Sequence, residues 1–265
     1  MINKIFRPIL ERLPENNRWE RIWKIAQVDF KKRYYNDRLG LFWALLNPIF
    51  RIFIYYIAFT HVFKIAIENY AQFLFAGLVL WLAWSECTNR AMNILLSKRF
   101  LIENIQFNKI DLFISHTISS FMGMTFNLAA FVIFLVLSGI SLSKYLFYLP
   151  ILLAVLFLLC LGTSLILSTI KIYLKDIVHI WTMILLAGFW SSGLFNRAED
   201  MITAFPPLKV INPFVGLIIN ARNITMYSKP LDLELLMINT CFGLVTLVIG
   251  IYVFKQFSHK AMENI

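Results

Sequence analysis

Long apolar runs dominate the chain, and polar residues gather between them rather than alternating through them. Six runs stand out, at 41–63, 73–95, 112–138, 145–170, 177–195 and 235–254. Each is near or above the roughly 18 apolar residues that mark a membrane-crossing helix. The runs are continuous and lack the two-residue alternation of outer-membrane strands, so they predict helices rather than a barrel. The expected fold is an all-α integral membrane protein with six transmembrane helices.

Two polar stretches carry patterns of their own. In RWERIWKIAQVDFKKRYYNDRLG, the apolar residues Trp19, Ile22, Trp23, Ala26 and Phe30 recur at helical spacing, ringed by Arg18, Glu20, Arg21, Lys24, Lys31 and Lys32. That predicts an N-terminal amphipathic interface helix with tryptophans at headgroup level. Between the fifth and sixth runs, NRAEDMITAFPPLKVINPFVGLIINARNITMYSKP has prolines at 206, 207 and 213, then a helical apolar pattern through Phe214, Leu217, Ile218 and Ala221. This predicts a re-entrant or surface-lying hairpin before the last span, allowed where protein or water satisfies its backbone.

Composition removes the soluble classes. The chain is 59% hydrophobic and 15% charged, with a mean hydropathy of +0.70, whereas soluble domains are nearer one quarter charged. Its net charge of +10 is unevenly spread. Residues 1–40 hold ten Lys/Arg, 96–111 hold three, 171–176 hold two and the C-terminal tail two, against six on the opposite side (Lys64, Lys144, Arg197, Lys209, Arg222 and Lys229). The positive-inside rule then places both termini in the cytoplasm. Anionic lipid accounts for the basic face, so no nucleic-acid partner is implied. The expected organisation is a single transmembrane domain, 1–265. Residues 1–40 form the interface helix, 41–195 spans one to five, 196–234 the external segment, and 235–265 the sixth span and tail. No h-region precedes the first span, so no cleavable signal is expected.

Catalytic signals are missing. No GxxxxGK[ST] phosphate loop occurs, so ATP is not bound in that way by this chain. The histidines at 61, 116, 179 and 259 lack metal-ligand spacing, and no GxSxG elbow is present. Cys87, Cys160 and Cys241 lie in three different runs and read as free thiols. No catalytic residue, metal or cofactor is assigned, and transport is the default.

Arg51 breaks the run LFWALLNPIFRIFIYY. A helix starting at Pro48 would make it a harmless first-turn residue, but 48–63 covers only about 24 Å, short of a ~30 Å bilayer core. Including LFWALLN restores the length and sets Arg51 deep in the span. Glu86, on the next helix, is expected at similar depth, with Arg90 one turn away. Asn47, Arg51 and Tyr55 share one stripe, and a polar stripe at this depth faces protein or a water path. Two readings stay open: an ion pair knitting two helices, and a conduit site for a polar or anionic substrate.

WKIAQVDFKKRYYNDRLGLFWALLNPIF resembles the N-terminal signature of type-2 ABC transporter permeases that export bacterial surface polysaccharides such as O-antigen, capsule and teichoic acid. The matching positions are Asp29, Lys31, Arg33, Tyr34, Leu39, Gly40, Trp43 and Pro48, with Val28 where arginine is common. NRAMNILLSKRFLIENIQFNKIDL is similar to the family's first coupling loop, with Asn108 in place of a proline, and IYLKDI to its second. INPFVGLIINARNI resembles its external NP…R segment, while WSSGLF at 190–195 departs from it.

The resemblance implies half of a transporter. A second copy of the chain completes the pathway, and two ATP-binding subunits carry ATP and Mg beneath it. Asp29, Arg33, Tyr34, Lys98, Arg99, Asn108, Lys175 and Asp176 are then expected to couple to the ATPase. Asn212, Pro213 and Arg222 are expected to form the external gate. The implied substrate is a lipid-linked polysaccharide moved from the cytoplasmic side of the inner membrane. Because sugars stack on aromatic rings, Tyr55, Phe59, Trp84 and Trp190 join Asn47, Arg51, Glu86 and Arg90 as candidate pathway residues, although an interfacial aromatic girdle is the alternative for each ring. Two other functions compete: an ABC permease for a small lipid or drug, and a membrane-embedded glycan-modifying enzyme.

Overall fold

The computed structural model describes residues 17–34, 40–64, 67–104 and 107–263; for 41, 43–45, 47 and 258–263 it describes the backbone alone. The described residues are helical or irregular, with no strand among them. The interface helix is α1, Arg18–Tyr34. Helix α2, Leu41–Ile57, continues into a π-helical turn, Ala58–Val62. Helix α3 is Tyr70–Ala91, followed by two short helices, α4 (Ile94–Ser97) and α5 (Arg99–Asn104). Helix α6 is Ile110–Leu137, and α7, Leu149–Tyr173, follows a 3-10 turn. Then come α8 (Ile177–Trp190), α9 (Ala198–Ala204), α10 (Leu208–Ile211), α11 (Pro213–Thr225) and α12 (Leu233–Glu263).

Four helical stretches are long and apolar enough to cross a membrane: Tyr70–Ala91, Ile110–Leu137, Lys144–Tyr173 and Leu233–Phe257. Two shorter apolar helices, Pro48–Val62 and Ile177–Trp190, stand where the first and fifth spans are expected. Helix α2 begins at Leu41, so Pro48 lies inside it rather than at its start. The fifth run is expected to continue to residue 195, but α8 stops at Trp190 after 14 residues, about 21 Å at 1.5 Å per residue. Its continuation, Ser191–Phe195, turns instead, with Gly193 at φ 76°, a left-handed backbone that favours glycine.

The core is built around α3, whose residues Phe73–Leu82 are buried without a break. Helices α7 and α12 form the most extensive pair, and their approach depends on missing side chains. A Cβ at Gly162 would lie 2.6 Å from the backbone N of Leu247, and one at Gly250 would lie 2.7 Å from the carbonyl O of Gly162. Small residues permit such backbone contact in membrane bundles, where dispersion replaces the hydrophobic effect as the driving force. Helix α11 is also enclosed. Asn212 caps it by accepting a hydrogen bond from the Phe214 N–H (3.0 Å), Pro213 occupies the first turn, and residues 213–222 are buried throughout.

Because the obstruction at Gly162 is backbone rather than a flexible side chain, Gly162→Leu is expected to separate α7 from α12. The expected loss is about 3 kcal/mol, at the upper end of overpacking costs. Thermal denaturation of the purified chain in detergent checks this; an unchanged midpoint refutes the close approach.

Candidate functional site

At one end of the bundle, α1 lies across the first half of α6. Ile22, Ile25, Ala26 and Tyr34 are buried, while Trp19 and Trp23 stay exposed. Four ion pairs hold the helix among the described residues. Arg18 donates from Nε (3.0 Å) and Nη2 (2.8 Å) to Oδ1 of Asp111, and Arg21 Nη2 lies 3.3 Å from Oδ2. Asp111 is fully buried in the first turn of α6, where the helix dipole also favours a negative charge. Its hydrogen bond, and then its charge, hold the Arg18 guanidinium above its ordinary pKa. Further along α1, Asp29 pairs with Lys98, which lies between α4 and α5, and Arg33 pairs with Glu86 of α3. Tyr34 sits against Gly123, where a Cβ would collide with its hydroxyl, and burial raises its phenol pKa.

These contacts sort the expected coupling residues. Asp29, Arg33, Tyr34 and Lys98 belong to one clamp between α1 and the bundle. Arg99 lies on α5, where its Nε is 2.5 Å from Oε1 of Glu103. Asn108, standing where a proline is common in the resembling sequences, accepts from the Ile110 N–H at 3.1 Å and so braces the start of α6. Lys175 and Asp176 are exposed in the turn between α7 and α8.

The expected pathway residues do not form one group. Tyr55, Phe59 and Trp190 meet around Phe195, at ring-centroid distances of 5.2, 4.3 and 4.9 Å, and Phe189 joins them at 5.2 Å. Trp84 belongs to a deeper stack with Trp81, Trp181 and Phe214, and its Nε1–H has no partner among the described residues. The side chain of Asn47 lies outside the described residues.

The expected partnership of Arg51 and Glu86 is corrected by the structure. Arg51 is exposed on α2, between the exposed rings of Phe50 and Phe53, and makes no ion pair among the described residues. Ile52, roughly 100° away around the helix, is the residue turned into the core. Glu86 is taken instead by Arg33 from α1, and Arg90 has neither an ion pair nor a hydrogen bond among the described residues. Similar depth along two helices was thus a poor guide to contact, because helix rotation sends the side chains to different faces.

At the other end, the expected gate residues Asn212 and Arg222 fasten α11 to its neighbours through separate contacts. Arg222, 1% exposed, donates from Nε to the carbonyl of Phe73 (3.2 Å), from Nη1 to that of Gly193 (2.8 Å) and from Nη2 to that of Leu194 (2.9 Å). Its Cζ stands 3.3 Å from the centroid of the Phe73 ring. Among the described residues no carboxylate meets it; carbonyl dipoles and a ring face stabilise the charge. Asn212 Nδ2 donates to the Gly188 carbonyl and to Ser191 Oγ, both at 3.0 Å, tying α11 to the end of α8.

Asp111 is the principal residue missed by the sequence reading. Its signal was present, a lone carboxylate at the head of a long apolar run, but nothing in the sequence pointed to Arg18 and Arg21, some ninety positions earlier.

Comparison with known proteins extends these observations. The sequence pattern of the family described as ABC-2 type transporter matches residues 20–226. An O-antigen export system permease protein, RfbA, from Klebsiella pneumoniae is 22% identical over 240 residues, covering 90% of this chain and 92% of its own length. The protein of the same name from Myxococcus xanthus is 22% identical over 244 residues, covering 91% and 94%.

Exchanging Arg33→Glu with Glu86→Arg is expected to recover the stability lost in Glu86→Arg alone, about 1 kcal/mol for a partly exposed pair. Arg51→Glu with Glu86→Arg is expected to recover none of it; double-mutant denaturation cycles decide. Arg222→Lys replaces a planar fork by one ammonium that does not reach three divergent carbonyls. It is expected to cost about 3 kcal/mol, read as a lowered denaturation midpoint.

Proposed function

The chain belongs to the ABC-2 transporter membrane family, and on that premise we propose that it is the permease subunit of an ABC exporter for a lipid-linked polysaccharide. Two copies form the pathway, and two separate ATP-binding subunits drive it from the cytoplasmic side of the inner membrane. In this reading α2 and α8 complete a set of six spans, both termini are cytoplasmic, and the segment 196–234 closes the outer end as a re-entrant gate. The cargo is assigned from the relatives, whose names specify O-antigen export and whose similarity runs through nearly the whole chain.

The observation that carries the coupling part of the reading is the Lys98–Asp29 contact. It joins the interface helix to the segment between α4 and α5, so a push on either is transmitted to the other. The Asp111 contacts transmit the same push into α6. Beyond the clamp, Tyr55, Phe59 and Trp190 offer ring faces on which sugars can stack and slide.

Deletion of the gene tests the reading. Surface polysaccharide is expected to disappear while lipid-linked polymer accumulates inside the cell, and the wild-type gene is expected to restore export. Asp29→Lys is expected to reach the membrane at normal levels yet restore less than about a tenth of export, since a like-charge contact with Lys98 replaces an attraction. Unchanged surface polymer in the deletion strain, with a small lipid or drug retained instead, overturns the proposed cargo. Purification without an ATP-hydrolysing subunit, from cells that export normally, overturns the proposed drive.

A further inference from the structure

Two fully buried asparagines lie in the seam between α11 and α12, and they are in opposite states. Asn220 of α11 is satisfied: its Oδ1 accepts from the Asp232 N–H at 2.6 Å, and its Nδ2 donates to the Asp232 carbonyl at 3.3 Å. Asn239 of α12 has no hydrogen-bond partner among the described residues for either its amide oxygen or its amide nitrogen. It packs directly on Gly216 of α11, where a Cβ would lie 2.6 Å from Nδ2 and 3.1 Å from Oδ1. A buried amide without partners carries a desolvation cost that contact with water removes.

The two ends of α11 are held differently. Beside Asn220, Arg222 fixes the C-terminal end to the carbonyls of Phe73, Gly193 and Leu194. The N-terminal end is tied by Asn212 to Gly188 and Ser191 at the end of α8. Helix α8 itself is lightly held, since Ile177, Trp181 and Leu185 are its buried residues among the described ones. A displacement of α8 is therefore passed to the N-terminal half of α11, which is the half that covers Asn239.

We propose that the N-terminal half of α11 lifts off α12, pivoting on its Asn220–Arg222 end, and that the unpartnered Asn239 amide biases the seam toward lifting. With Gly216 seated, the amide is dry and unpaired. With Gly216 withdrawn, water supplies its hydrogen bonds, so the packed state is held less tightly than its apolar contacts alone would hold it. The glycine is the notch that lets the amide be covered at all. The inference rests on the gate reading of 196–234 for its role in export, while the movement itself is read on the chain alone.

Cysteine accessibility in phosphatidylcholine nanodiscs tests it, with a membrane-impermeant maleimide and peptide mass spectrometry to resolve each site. Val215 and Ile224 of α11 are both fully buried. Labelling of a buried position follows the fraction of molecules in which it has opened. Val215→Cys, in the lifting half, is expected to label slowly but completely, and Ile224→Cys, beside the pivot, to stay protected. Adding Asn239→Leu, which keeps the branched shape without the polar atoms, is expected to slow labelling at 215 about ten-fold and to raise the denaturation midpoint. Adding Asn239→Asp, which buries a charge, is expected to speed it about ten-fold. If Asn239→Asp does not fold, Asn239→Leu decides alone.

Four results overturn the inference: no labelling of Val215→Cys, equal labelling of Val215→Cys and Ile224→Cys, a rate unchanged by Asn239→Leu, or a midpoint lowered by it. A lowered midpoint is what an amide serving only to hold the packed state would give. The labelling uses neither cargo nor ATP-binding subunit, so its failure is distinct from failure of the export reading.

Discussion

A carboxylate with no exposed surface cannot remain charged inside a helix bundle unless cations reach it, and that requirement fixes where α1 lies. Asp111 sits in the first turn of α6, and Arg18 and Arg21 supply its partners. Once those contacts are made, Ile22, Ile25 and Ala26 are pressed against the bundle. Asp29 and Arg33, two and three turns further along α1, then come within reach of Lys98 and Glu86. A buried pair is weak evidence for net stability, since desolvation offsets much of the attraction, but removing one partner is strongly unfavourable. The clamp thus specifies position more than it adds stability.

At the opposite end the buried guanidinium is held by backbone carbonyls rather than by a described carboxylate. Arg222 gathers the carbonyls of Phe73, Gly193 and Leu194, binding α11, the start of α3 and the turn after α8 in one contact. Two of these carbonyls, those of Gly193 and Leu194, lie in the turn after α8, in an apolar setting where unpaired backbone groups are costly. Between the two ends, α7 and α12 meet backbone to backbone at Gly162 and Gly250. The α7–α12 pair is thereby held by contacts between uncharged groups.

Much of the architecture is legible in the amino-acid sequence, because it depends on local periodicity and on the cost of exposing polar backbone to lipid. The all-helical class, the amphipathic helix at Arg18–Tyr34 and the capped helix after Asn212 are all of this kind. The order of motifs also sufficed to indicate the family. Side-chain partners were not legible. Arg51 and Glu86 stand at matching depths along their runs, yet helix rotation turns Arg51 outward and gives Glu86 to Arg33. Asp111 and Arg222 look like isolated charges until packing delivers their partners from positions 93 and 149 residues away. Apolar periodicity marks which face of a helix is buried, but where the helices approach, and which polar groups meet there, is decided by the tertiary packing that satisfies all of them together.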